Sequence, residues 1–390
     1  MKPFNPDQIR TFRAPKYTGV TLSLLSMFVL ASMMVVWNQM EKETLTNNSL
    51  KVYCDESFHL PLKEAAEQFK NELQIQTVIN FYTDHNFHSL KQLQREKYDI
   101  LISEESNSKR KKVPADILEE SIMVANASLV FATKKSANLD IDNLTDIFDQ
   151  NITFGHCKET TKSGSQLDRI FKKNGYKIFN YSNRIFNSDS LLISALLSSD
   201  NLGGIFINYQ RALENDLKIY RLKEFSQESI PVECHILKTS EQPTKSLQFA
   251  RFLAAPTKGQ YHFANNHFIG VDGDTWRENP AVKIFCEPPF KTLFERTTET
   301  FKQREGANIK ILYPISEKLI FTLSSISQSS SQNLLPDLLV VSTNTSEKLS
   351  PNYIEIPYED KLFKGKFFFY RQSKHRSLCK RFVRSVIDAF

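Results

Sequence analysis

The sequence predicts an α/β protein of two lobes, followed by a single-lobe α/β module and preceded by one transmembrane helix. Three observations predict it. Short apolar strands alternate with segments of helical apolar spacing from residue 50 onward. Residues 50–70 (LKVYCDESFHLPLKEAAEQFK) are echoed at 282–302 (VKIFCEPPFKTLFERTTETFK). About 110 further residues interrupt the first copy and are missing from the second.

Each copy opens with an alternating apolar strand, passes a cysteine and an acidic residue, and enters an amphipathic helix ending in Phe-Lys. Cys54 matches Cys286, and Phe69 matches Phe301. A second strand, 76–81 (QTVINF), is paralleled by 308–313 (NIKILY), and a third, 98–103 (YDILIS), by 336–342 (PDLLVVS). The far ends agree again: 232–254 and 366–387 both read as strand, polar turn and helix. Strand, helix, strand, helix, strand is the pattern of a parallel layer with right-handed crossovers. The inserted stretch is itself α/β. Ser128–Thr133, Asn151–Phe154 and Gly204–Asn208 read as strands, and Ile141–Phe148, Ser165–Asn174 and Ser188–Ser198 as helices. The expected organisation is lobe 1 at 50–125 and 232–271, lobe 2 at 126–231, and a degenerate lobe-1-like repeat at 282–390, joined through Trp276–Pro280. A chain that crosses twice between α/β lobes leaves a cleft at their junction, where ligands bind.

Residues 17–37 (YTGVTLSLLSMFVLASMMVVW) carry no formal charge. As a helix rising 1.5 Å per residue, this stretch spans a hydrocarbon core of ~30 Å. Lys2, Arg10, Arg13 and Lys16 precede it. That bias predicts an anchor at 17–38, a cytoplasmic segment 1–16, and a bulk that is periplasmic or otherwise extracytoplasmic on the inner membrane. The apolar run exceeds the core of a cleaved signal peptide.

A hydrophobic fraction of 41% and 30 phenylalanines describe a well-cored protein, and a net charge of +6 without a basic aromatic stripe excludes a nucleic-acid partner. Lys109-Arg110-Lys111-Lys112 reads as a solvated loop. The five cysteines are scattered, with no CxxC, and read as buried thiols. His85 and His88 lack the further ligands of a metal site. No cofactor is expected, and no nucleotide-binding loop of the GxxxxGK[ST] type is present.

Residues 50–270 resemble the periplasmic molybdate-binding proteins of ABC importers, two-lobed solute-binding proteins of the type 2 periplasmic binding fold. The segments that carry the resemblance are LKVYCDESFHLPLKEAAEQF, YDILIS, ASLVFATKK, GHCKETTKSGSQLDRIF, SALLSSDNLGGIFIN and FARFLAAPTKGQYHFANNHFIGV. It implies a small oxyanion (molybdate, sulfate or phosphate) held by neutral donors, and an ABC permease as membrane partner. It places Ser57 before the first helix of lobe 1. Thr161, Ser163 and Gly164 fall in the anion loop of lobe 2, and Ser190 at a further helix start. After Gly204-Ile205-Phe206, where the family presents a Tyr ligand, this chain has Ile207, then Asn208 and Tyr209, and Asn208 is the candidate ligand there. Hydroxyls and N–H groups at helix N-termini suit an oxyanion, although Ser and Thr are favoured there simply as caps. The chain departs from the family at Thr83-Asp84-His85-Asn86, where a Ser-rich loop is usual, and at Ile207. Pro289 replaces Ser57 in the second copy.

Two other readings compete. One is a binding fold that has lost its ligand and serves as an interaction or sensory module. The other is an enzyme using Cys54 with His59, or Cys157 with His156. Neighbours on a strand face opposite ways, and no third group completes such a site, so no enzyme is expected.

Overall fold

The computed structural model describes residues 26–34, 49–82, 90–104, 117–178, 184–198, 201–225, 228–328, 335–347, 349, 351–358 and 363–389. Residues 26–34 are helical, with Met27, Phe28, Leu30, Met33 and Met34 exposed. The remainder of the apolar N-terminal stretch lies outside the described residues. Among the described residues, no helix is long and apolar enough to cross a membrane.

The elements that follow are β1 (Ser49–Asp55), α1 (His59–Leu73), β2 (Gln76–Tyr82), α2 (Leu90–Arg95), β3 (Ile100–Glu104), β4 (Leu118–Ala127), β5 (Leu129–Thr133) and α3 (Leu144–Asp149). Next come β6 (Phe154–Cys157), α4 (Lys162–Lys173), β7 (Arg184–Phe186), α5 (Asp189–Ser198), β8 (Gly204–Asn208), α6 (Tyr209–Glu214) and β9 (Lys218–Tyr220). The chain continues through β10 (Ile230–Leu237), α7 (Pro243–Ala254), α8 (Gly259–Asn265), β11 (Ala281–Cys286), α9 (Lys291–Glu305), β12 (Asn308–Leu312) and α10 (Ser316–Gln328). It ends with β13 (Leu338–Ser342), α11 (Thr343–Ser346), β14 (Tyr353–Glu355), β15 (Gly365–Tyr370) and α12 (Arg376–Asp388).

These strands form three five-stranded sheets, ordered β2-β1-β3-β10-β4, β7-β6-β8-β5-β9 and β12-β11-β13-β15-β14. In the first sheet β1 and β3 are parallel, while β10 runs antiparallel between β3 and β4. In the middle sheet β6 is parallel to β7 and β8, and β5 is antiparallel to β8 and β9. The chain leaves the first sheet at Ser128 and returns to it at Ile230.

Local chemistry sets the element ends. On α1, Leu62, Ala65, Ala66 and Phe69 recur at helical spacing and are buried against the first sheet. The helix stops at Gln74, whose φ of 57° takes the left-handed turn common at helix C-termini. Several expected bounds shift: the helix expected at Ser165–Asn174 spans Lys162–Lys173 because Thr161 caps it, and two others also have a local cause. The helix expected from Ile141 begins at Leu144, because Asn143 and Asp146 form a capping box. The strand expected at Asn151–Phe154 begins at Phe154, because Asn151 adopts a φ of 50° in the turn that ends α3. The middle lobe is cored by Phe131, Phe154, Phe171 and Phe206, with Phe154 and Phe206 packed edge-to-face at 5.1 Å. Full burial of each such ring contributes roughly 1.5–3 kcal/mol. All five cysteines are buried, and no disulfide joins any of them.

The third sheet is seated on α7 and β4 through α9 and α12. Arg304 and Arg384 reach Glu120 on β4 at 3.6 and 2.8 Å, and within the third module Arg381 donates two 3.0 Å bonds to fully buried Glu305. Trp276 packs on Phe252 at 5.1 Å, and Asp274 accepts 2.8 Å bonds from the N–H groups of Ser377 and Leu378 at the start of α12.

Candidate functional site

The C-terminal ends of β1 and β3 in the first sheet face the ends of β6 and β8 in the middle sheet across a junction bonded from both sides. Asn208 Nδ2, at the end of β8, donates to Glu104 Oε1, at the end of β3, over 2.9 Å. Arg211 on α6 approaches Glu56 at 3.7 Å. Gln210 Nε2 donates to Asn266 O, and the rings of Tyr209 and His267 lie 5.1 Å apart.

Arg211 is the electrostatic centre of this junction. Burial alone would lower its pKa, but the carboxylates of Glu214, Asp55, Glu56 and Asp189 outweigh that cost and raise it. Burial also pushes the Tyr82 phenol well above its usual range, and Asp55, Cys54 and Glu104 add to the shift. These influences bring Asp55, Glu56 and Glu104 of the first sheet and Asp189 of the middle lobe into one neighbourhood. A cavity of about 610 Å³ lies on the middle lobe, lined by Asp189, Ser190, Ile193, Ser194 and Arg211 among others, all of them residues of α5, α6 and their surroundings.

The residues expected to hold an oxyanion are gathered here, but most are already engaged. Ser57 lies in the 3-10 turn after β1, and both its N–H (3.0 Å) and its hydroxyl (2.8 Å) donate to Asp55 Oδ1. Ser163, in the first turn of α4, donates to Asp189 Oδ1 over 2.9 Å, and the Cys157 thiol donates to the same oxygen over 3.0 Å. Thr161 is the N-cap of α4: its hydroxyl accepts from Gly164 N at 3.1 Å and donates to Lys158 O at 2.7 Å. Gly164 is required by close approach, since a Cβ there would lie 2.0 Å from Lys158 O and 2.4 Å from Cys157 O. Ser190 lines the cavity. Asn208 Nδ2 donates one hydrogen bond to Glu104, and its Oδ1 is buried with no partner among the described residues.

Ile207 is fully buried in the core of the middle lobe and does not line the junction. Thr83-Asp84-His85-Asn86 lies outside the described residues. No group of three or more metal-ligating side chains occurs among the described residues. The residues that sequence reasoning missed are Asp55, Glu104, Asp189 and Arg211. Their signal was adjacency: Asp55 stands two before Ser57, Asp189 precedes Ser190, Glu104 ends the YDILIS strand, and Arg211 is three beyond Asn208.

Residues 50–268 match the family described as bacterial extracellular solute-binding protein. The chain belongs to that family. The family is described as one of solute-binding proteins, and its match spans the first two sheets. The solved structures similar to this solute-binding protein include a substrate-binding domain assigned to a molybdenum ABC transporter of Clostridium difficile. That likeness has 16% identity and a TM-score of 0.48, over 57% of this chain and 99% of that one. The periplasmic molybdate-binding protein of Azotobacter vinelandii gives 16% identity and a TM-score of 0.42, over 57% and 100%. A phosphate-bound protein assigned to a phosphate ABC transporter of Clostridium perfringens gives 14% identity and a TM-score of 0.42, over 58% and 100%. None of these likenesses identifies a cargo for this chain. No curated protein matches it in sequence.

Proposed function

We propose that this chain is an extracytoplasmic solute-binding protein tethered to the inner membrane through residues 17–38, with its N-terminus in the cytoplasm, that presents a bound solute to an ABC permease. Lobe 1 is formed by 50–125 and 232–271, lobe 2 by 126–231, and 282–390 is a lobe-1-like repeat with a scaffolding role. The observation that carries the reading is the family match over 50–268, which falls on the two sheets linked by the crossings at Ser128 and Ile230. The exposed apolar side chains of helical residues 26–34 support the anchor.

The resemblance favours a small oxyanion as cargo: molybdate, sulfate or phosphate. A thermal-shift screen with those anions, tungstate and small carboxylates tests the reading, because a solute that binds only the folded state raises the melting temperature by mass action. A clear shift with one solute supports a binding protein and names its cargo class. A second reading, a ligand-free interaction module, is favoured by the engagement of Ser57, Ser163 and Asn208 with carboxylates. Cooperative melting with no shift for any solute would select it.

A further inference from the structure

We propose that the third module carries a ligand site of its own, for a small phosphate-bearing organic molecule, at the N-terminal ends of its parallel strands. The site lies outside residues 50–268 and does not depend on the cleft between the first two sheets. A cavity of about 770 Å³ opens between the starts of β11 and β12 and the turn from β15 into α12. That volume falls in the range of small-molecule pockets. Val282, Ile309 and Leu335, all buried, line it together with Tyr370. Arg277, Lys310 and Lys374 line it too. All three are exposed, and their side chains make no hydrogen bond or ion pair among the described residues. The one carboxylate in the lining is Asp337, and both of its oxygens are engaged: it accepts from Lys283 N at 3.0 Å and from Ser373 Oγ at 2.7 Å.

The first sheet holds the same frame with its charges cancelled. There Asp99 accepts from Ser240 Oγ at 2.7 Å, and Ser240 Oγ accepts from Gln242 N at 3.1 Å. Asp337, Ser373 and the N–H of His375 repeat both bonds, at 2.7 and 3.1 Å. The frame therefore aligns Glu241 with Lys374, and the echo between the strands aligns Val78 with Lys310 and Lys97 with Leu335. In the first sheet Glu241 pairs with Lys97 at 2.6 Å. In the third, a lysine stands in place of the acid, a leucine in place of its partner, and a further lysine in place of the valine. Lys310 also lies opposite Lys283 in the register of β11 and β12. Cations gathered around a concave, partly apolar wall focus a positive potential into it. A phosphate group offers several anionic acceptor oxygens to lysine and arginine. An organic body attached to it would cover Val282, Ile309, Leu335 and Tyr370, which a bare ion would leave to water.

The test is calorimetry and thermal shift on the full-length protein in detergent, with ATP, ribose 5-phosphate and adenosine as probes. ATP or ribose 5-phosphate should bind and raise the melting temperature, and adenosine, which has no phosphate, should not. Lys374→Glu and, separately, Lys310→Val install the first module's residues at exposed positions, so both variants should fold. Each should weaken binding by about tenfold or more, the scale of one charge-assisted contact. Lys63→Glu changes net charge as Lys374→Glu does, at an exposed position on α1, and should leave binding unchanged. No binding of either phosphate compound would overturn the proposal. Binding that survives both Lys374→Glu and Lys310→Val would place the ligand elsewhere, the cleft included, and overturn the assignment to this cavity. Equal weakening by Lys63→Glu would reduce it to a bulk charge effect. Stabilisation by phosphatidylglycerol added to the micelles, with none from the soluble compounds, would make the basic cluster a lipid contact and overturn the small-molecule site.

Discussion

The first and third sheets are the same construction finished in two ways. Both have the order second, first, third, with a late antiparallel strand and an edge strand beside it. The parallel registers correspond, Cys54 opposite Ile102 and Cys286 opposite Val340. In each, an aspartate before the third strand ties the sheet together. Asp99 accepts from Lys51 N at 2.8 Å and Ser240 Oγ at 2.7 Å, and Asp337 accepts from Lys283 N at 3.0 Å and Ser373 Oγ at 2.7 Å. The helix after the first strand buries Leu62, Ala65, Ala66 and Phe69 in one case and Phe294, Thr297, Thr298 and Phe301 in the other. The two copies part at the C-terminal ends of their strands. In the first sheet those ends meet the middle lobe through Glu104 and Asn208. In the third sheet they are sealed locally, where Glu287 accepts from Ser342 N at 2.7 Å and Thr345 Oγ1 at 2.6 Å, so that α11 covers the strand ends. The comparison teaches that a strand-end carboxylate can either bridge to another lobe or plug its own sheet.

The largest test of this comparison breaks the buried ion pair between α9 and α12, inside the third module. Arg381→Ala leaves Glu305 buried without its bidentate partner, and stability measured by urea unfolding should fall by about 3–5 kcal/mol. A loss under 1 kcal/mol would mean that this pair does not hold α9 against α12. Acid should loosen the same pair less completely. Burial tends to raise the Glu305 carboxyl, but Arg381, Arg251 and Arg304 overcome this and hold it below the ordinary 4.5. Its folded value lies below its unfolded one, so its contribution is present above about pH 4.5 and is lost as the pH falls through the depressed value. Melting curves between pH 7 and 3 should show the loss only in that lower window, and it should be absent in Glu305→Gln.

A smaller effect distinguishes the plug from the bridge. Glu287→Ala strands the Ser342 N–H and the Thr345 hydroxyl, and should cost about 1–3 kcal/mol while leaving solute affinity unchanged. A change in affinity would tie the third sheet to the cleft. The smallest effect separates cap from ligand. Thr161→Ala should cost about 1 kcal/mol, as loss of an N-cap does, with no change in solute binding by calorimetry. A tenfold fall in affinity would return Thr161 to the site.

Much of the framework is legible because strands and helices announce themselves by period. The spacing of Leu62, Ala65, Ala66 and Phe69 and the run Gly204–Asn208 need no tertiary information. Four strands escaped that reading. β7, β9 and β14 span only three residues each, and β4 (Leu118–Ala127) gains its identity from pairing with β10. The candidate site was legible in its location and not in its polarity. Ser57, Ser163 and Asn208 look like donors for an anion when read singly. Whether a hydroxyl is available depends on what stands beside it in space, and 26 residues separate Ser163 from Asp189, while 104 separate Asn208 from Glu104.

By itself, the sequence determined the alternation of elements, the echo between 50–70 and 282–302, and the uncharged run at 17–37, because periodicity, self-similarity and charge are properties of the chain read in order. Only the tertiary structure decided that Glu104 crosses to Asn208, that Asp189 collects Ser163 and Cys157, and that Arg384 reaches from α12 to Glu120 on β4. A carboxylate carries the same charge wherever the chain places it. Whether it repels a ligand, satisfies a donor or neutralises an arginine is set by distances of about 3 Å between residues remote in sequence, and folding alone creates those distances.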